Sequence, residues 1–273
     1  MFSEILKRDT FFNIGTPHTM KEGSQHPLLI WLHGWGDDPS CDILLETMEK
    51  SNSIGELPVV LFPWGLEGYE CSEWTNRYDG SLSIENHIIY ELIPRVQKKF
   101  PVYSFKQSIM IGGISMGGYG AINIGLKNQS LLCAAAATSP QGLEWPKELP
   151  LIEEKYPDFI TEHIKGLSTP YENALKLWGK LPKNMDHLLQ NSPIDYIDHV
   201  GVDIGIYIDV GNDGFENRMR QSALKFIKKL QSMKVAYVFE QFNGGHGSGL
   251  NYHGMLRKLQ YLYYHFERKR DQQ

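Results

Sequence analysis

The segment Gly113-Ile114-Ser115-Met116-Gly117 reads GxSxG inside "MIGGISMGGYG". Glycine-dense turns either cradle phosphates or force a nucleophile into a strained, exposed position. The phosphate readings fail on residue identity. A dinucleotide fingerprint begun at Gly118 gives Gly120 and then Asn123, so its third glycine is absent, and a P-loop needs a lysine directly after the glycines, where none stands before Lys127. The nucleophile reading fits: an apolar strand pattern precedes Ser115 and a helical pattern follows it, the context in which GxSxG presents a serine on a tight strand-to-helix turn. Glycine at the flanking positions removes the Cβ atoms that would clash there.

A serine hydroxyl needs a base, and the base needs an orienting acid. Of the histidines after Ser115, His246 lies in "QFNGGHGSG", a loop directly after an apolar run, where open α/β sheets place their chemistry. His253 and His265 fall in a helical pattern and read as surface or packing residues; Ser248 reads as a loop-shaping residue. In "YIDVGNDGF", Asp209 lies inside an apolar strand and Asp213 in the loop after it, so Asp213 is the expected acid. The oxyanion needs two backbone N–H donors. Met116, after the nucleophile, is expected to supply one, and Trp35, in "WLHGWGDDPS", the other. His33 reads as a buried histidine bracing that loop. Aromatics in "PWGLEGYECSEWTNRY", Trp74 and Tyr78 among them, are candidate walls of a substrate cleft.

These residues require a scaffold that brings several loops to one edge of a sheet. The continuous apolar runs Leu28–His33, Val59–Phe62, Ser108–Gly112, Leu132–Thr138, Ile204–Val210 and Val235–Gln241 read as strands buried on both faces. Helical spacing covers Ile84–Lys99, Met116–Leu126, Asn217–Met233 and Leu250–Arg268. The alternation predicts an α/β fold: a mostly parallel twisted sheet with helices on both faces. Residues 141–192 break the rhythm and read as a helical lid or insertion after the strand ending near Thr138, so that 1–273 forms one domain.

Composition is ordinary for a globular protein and weighs against other classes. Of 273 residues, 41% are hydrophobic and 22% charged, and the net charge of −5 disfavours nucleic acid as a partner. No apolar run approaches the ~18 residues of a membrane helix. The start "MFSEILKRDTFF" lacks a secretory core, so the chain reads as cytoplasmic, or as one whose leader has been trimmed. Cys41, Cys71 and Cys133 are widely spaced and read as reduced thiols, with one disulfide between two of them left open; nothing suggests a metal or another cofactor.

The ordered set "LLIWLHGWGDD", "IGGISMGGYGAI", "IDVGNDGF" and "FNGGHG" resembles the α/β-hydrolase superfamily, and most of all its esterase D / feruloyl esterase branch; "ELIPRVQKKFPV" and "NSPIDYID" are similar to that branch as well. The resemblance runs from about Leu28 to His246. It implies an α/β-hydrolase fold and a carboxylic ester hydrolase with Ser115, Asp213 and His246 as its triad, acting without a cofactor on a small-molecule or carbohydrate-linked ester of the small acyl, feruloyl or acetyl type. Acyl transfer or peptide hydrolysis at the same site, and a non-catalytic binding protein on the same scaffold, are the alternatives. The chain departs from esterase D proper, which carries a cysteine soon after the oxyanion loop and a "GKDD"-like acid loop. Here Cys41 stands further on and the acid loop is "GND", which weighs against S-formylglutathione as substrate.

Overall fold

The computed structural model describes residues 1–18, 20–51, 54–65, 72–145, 176–179 and 183–273. Most of the expected insertion, at 146–175 and 180–182, lies outside the described residues, as does Cys71. Cys41 and Cys133 are free thiols.

Seven strands form the central sheet: β3 (Phe12–Gly15), β4 (Leu28–Leu32), β5 (Val59–Pro63), β6 (Ile109–Ile114), β7 (Leu132–Thr138), β8 (Gly205–Gly211) and β9 (Val238–Phe242). Their spatial order is β3-β5-β4-β6-β7-β8-β9. Only β3 runs antiparallel, against β5; the remaining pairs are parallel. A separate hairpin pairs β1 (Phe2–Ser3) with β2 (Arg8–Asp9). The predicted strands all form. The sequence pattern does not disclose β3, which is short and half-exposed at the sheet edge.

The sheet divides the core in two because strand side chains alternate faces. Leu28, Ile30 and Leu32 face one apolar layer; Leu29 and Trp31 face the other. Helix α1 (Asp42–Lys50) covers the second face, together with the C-terminal helix. On the first face, a helical run passes from α2 (Ile84–His87) through a π-helical turn (Ile88–Leu92) to α3 (Ile93–Lys99). Pro94 has no N–H to return to the preceding turn, and the wider π turn absorbs that mismatch.

Helix α4 (Met116–Lys127) is buried at every position from Met116 to Leu126. It can lie that deep because the strand positions on its side of the sheet are small: Gly113 pairs with Ala137, and a Cβ on Gly125 of the helix would come within 3.1 Å of that of Ala135. Further on stand α5 (Met185–Leu189), α6 (Pro193–Val200) and α7 (Asn217–Ser232). Helix α7 buries Ala223, Phe226, Ile227 and Leu230, an i, i+3, i+4, i+7 stripe, and each large apolar side chain so buried contributes roughly 1.5–3 kcal/mol. The chain closes with α8 (Tyr252–Arg270), capped by Asn251, whose side chain accepts from the Gly254 N–H. No helix of the described residues is long and apolar enough to cross a membrane.

Candidate active site

Ser115 sits between the last residue of β6 and the first of α4, with φ 57° and ψ −117°. A non-glycine residue in this region carries on the order of 1–3 kcal/mol of strain, so its surroundings must hold it. Here they do. The Ser115 N–H donates to the Thr138 carbonyl at 2.9 Å, and the Ser115 carbonyl accepts from the N–H groups of Tyr119 and Gln141, each at 3.0 Å. Both glycines of GxSxG are sterically required. A Cβ on Gly113 would stand 2.5 Å from the Gly117 carbonyl oxygen, and one on Gly117 would stand 2.0 Å from that of Leu32.

The loop after β4 wraps beside this turn: a Cβ built on Gly34 would lie 3.6 Å from that of Ser115. His33 braces it as expected. Its Nδ1–H donates to the Gly34 carbonyl at 2.7 Å, while Nε2 accepts from the Gly65 N–H at 3.0 Å. That pattern fixes the neutral imidazole. Burial lowers the His33 pKa, against the opposing pull of the Gly34 carbonyl and of Asp37 and Asp38. Trp35 packs against the apolar layer beside α4, and Met116 opens α4, where backbone N–H groups point out of the helix end.

The reading of Trp74 as a cleft wall is corrected. Trp74 has no exposed surface. Its indole N–H donates to the His33 carbonyl at 3.1 Å, and its ring stands edge-on to His33 at 5.0 Å. Consecutive left-handed residues, Glu73 and Trp74 (each at φ 48°), turn the side chain inward, where it props the Gly34–Trp35 loop. Tyr78 is exposed, but its ring lies against His187 at 5.5 Å and its N–H donates to the Leu177 carbonyl; its described contacts run to that segment and none to Ser115 or His246.

His246 follows β9, and its neighbour Gly247 lies alongside Ile114, the residue before Ser115. The carboxylate against it is Glu216. Glu216 Oε1 lies 2.6 Å from His246 Nδ1, and Oε2 accepts from Ser139 Oγ at 2.5 Å and from the Gly211 N–H at 3.2 Å. Glu216 is fully buried, whereas His246 keeps 30% of its side chain exposed. Burial alone would raise the Glu216 pKa, but the bonds from His246, Ser139 and Gly211 outweigh it and hold the carboxyl below its ordinary range.

The structure does not bring Asp213 to the imidazole. Asp213 Oδ1 accepts from the Glu216 N–H at 3.2 Å, and its own N–H donates to the Gly244 carbonyl at 3.3 Å. Its other oxygen crowds Gly245, where a Cβ would come within 2.2 Å. Asp213 therefore caps the turn that delivers Glu216 and ties it to the histidine loop. Asn212 adds a second brace, donating to Asn243 at 2.7 Å and accepting from the Gly244 N–H at 3.1 Å.

Ser139 joins the halves of the site. Its N–H donates to the Asp209 carbonyl at 2.7 Å, its hydroxyl holds Glu216, and the residue before it, Thr138, holds the Ser115 N–H. Neither Glu216 nor Ser139 stands out in the sequence; the Asp213-x-x-Glu216 spacing, an acceptor three residues before an acid at a helix start, is the one signal that bears on them. Among the described residues, no group of three His, Cys, Asp or Glu could hold a metal ion.

A seven-stranded, mostly parallel sheet with a serine on its strand-to-helix elbow defines an α/β-hydrolase. The family described as "Putative esterase" matches residues 3–253, and the chain belongs to that family; it is a carboxylesterase-type hydrolase. Solved structures carry the same fold. A ferulic acid esterase is 20% identical, with 98% of this chain and 95% of that one covered and a TM-score of 0.70. An S-formylglutathione hydrolase from Agrobacterium tumefaciens is 17% identical, with 98% and 93% covered and a TM-score of 0.70. FphF, a fluorophosphonate-binding serine hydrolase of Staphylococcus aureus, is 18% identical, with 96% of each chain covered and a TM-score of 0.69. No curated protein sequence matches the chain.

Proposed function

We propose that the chain hydrolyses carboxylic esters through an acyl-enzyme on Ser115, with His246 as base and Glu216 as the orienting acid. The observation that carries this reading is the 2.6 Å contact between Glu216 Oε1 and His246 Nδ1 on the loop beside the serine elbow. With Nδ1–H committed to Glu216, the second ring nitrogen is the one available to take the Ser115 proton. The serine oxygen attacks the ester carbonyl. The backbone N–H groups of Met116 and Trp35 receive the negative charge of the tetrahedral intermediate. The imidazolium, stabilised by the buried carboxylate, then protonates the departing alcohol. Water repeats the sequence and releases the acid.

The substrate is a small acyl, acetyl or feruloyl-type ester. The ferulic acid esterase among the structural neighbours supports testing aromatic acyl groups first. Hydrolysis of p-nitrophenyl acetate by the native chain and by Ser115→Ala tests the reading. The variant is expected to fold and to lose turnover by about 10⁴-fold or more; full retained activity would sink the assignment.

A further inference from the structure

Helix α8 buries Met255, Lys258, Leu259, Leu262, Tyr263 and Phe266 on one face. Lys258 is the one charged member of that stripe and has no exposed surface. Its ammonium pairs with Asp209 of β8, which is itself 1% exposed. Lys258 Nζ also donates to the carbonyls of Gly249 at 3.3 Å and Gly254 at 3.4 Å.

Taking two ions out of water costs several kcal/mol each, and an apolar pair of similar volume is often as stable or more so. What the ion pair adds is direction. Gly249 ends the loop that carries His246, and Gly254 lies in the first turn of α8. Asp209 meanwhile holds the Ser139 N–H through its backbone carbonyl, and Ser139 holds Glu216. One side of the pair thus anchors the histidine loop, and the other side anchors the strand end that presents the hydroxyl to Glu216.

We infer that Lys258 and Asp209 form a buried positioning pair for the His246–Glu216 contact. It fixes the histidine loop through the Gly249 carbonyl and the Glu216 carboxylate through Ser139. The inference rests on the esterase reading above. Neither residue touches the reacting atoms; both act through His246 and Glu216.

The test is a double-mutant cycle on p-nitrophenyl acetate hydrolysis. Lys258→Met in the native background is expected to lower kcat about tenfold with KM changed less than about twofold, because it loosens the base and not the substrate site. The same change in a Glu216→Gln background is expected to lower kcat less than about twofold, since the contact it supports is already gone. Lys258→Met leaves Asp209 buried and unpaired, so the joint apolar variant Asp209→Leu/Lys258→Met guards against misfolding. It is expected to keep a thermal midpoint near the native one and still to show the kcat loss. Equal fold losses in the two backgrounds, or native kcat in the folded joint variant, would overturn the inference while leaving the triad standing. Full kcat in Glu216→Gln alone would overturn the triad and this inference with it.

Discussion

The Glu216 carboxylate lies 2.6 Å from Nδ1 of His246, and its second oxygen takes both the Ser139 hydroxyl and the Gly211 N–H. A fully buried carboxylate with three donors has one orientation, and it passes that orientation to the imidazole. His246 itself stays partly exposed.

Glu216→Gln keeps the shape and removes the charge. It is expected to lower kcat by about 10³–10⁴-fold, as amide-for-acid replacement behind a catalytic histidine does. Asp213→Asn keeps an acceptor for the Glu216 N–H and is expected to change kcat by no more than about threefold. Steady-state kinetics on both variants check this, and the reverse ranking would return the acid's role to Asp213.

Ser139→Ala removes one of the three donors to a carboxylate that water does not reach. An acceptor left short in the interior costs about 1–3 kcal/mol. Chemical denaturation is expected to report that loss, and kcat should fall alongside it. Unchanged stability and kcat would show that Glu216 does not depend on this hydroxyl.

Trp74→Phe keeps one aromatic ring and deletes the indole N–H that holds the His33 carbonyl. Because Trp74 braces the Gly34–Trp35 loop, kcat is expected to fall by a similar factor for acetyl and feruloyl esters. A loss confined to the aromatic ester would instead make Trp74 a wall of the acyl pocket.

His265 governs part of the acid limb of stability. Burial, with help from Arg268 and Lys269, lowers its pKa from 6.5 to about 4. The unfolded chain therefore binds this proton first as pH falls. The stabilisation is complete above pH 6.5 and is lost progressively as pH falls toward 4. The thermal midpoint of His265→Gln, followed against pH, is expected to fall less steeply across that window than that of the native chain; parallel slopes would contradict it.

The inner parallel strands β4 to β8 were legible because each is buried on both faces and so reads as an unbroken apolar run; Leu132–Thr138 matches its expected bounds in full. The strand expected at Val235–Gln241 begins later, at Val238, because β9 is a half-exposed edge strand and the chain first turns at Lys234 in the left-handed region. The loops that carry Ser115 and His246 were legible because glycines and strand ends mark them. The carboxylate that lies against His246 was not. Asp213 occupies the loop position where an acid is expected, yet its carboxylate is consumed by the Glu216 N–H, a backbone contact that side-chain spacing does not display. The inward turn of Trp74 depends on two left-handed residues that carry no glycine to announce them. Lys258, set among apolar positions of α8, looks like an ordinary helix residue until β8 supplies its counter-ion.

Covalent labelling with a fluorophosphonate, followed by mapping of the modified peptide, tests the central claim most directly. A nucleophile activated by His246 and Glu216 is expected to give one adduct per chain, on Ser115, absent from Ser115→Ala and formed far more slowly in Glu216→Gln. Folded native protein that stays unlabelled, or an adduct that maps to another residue, would contradict the account.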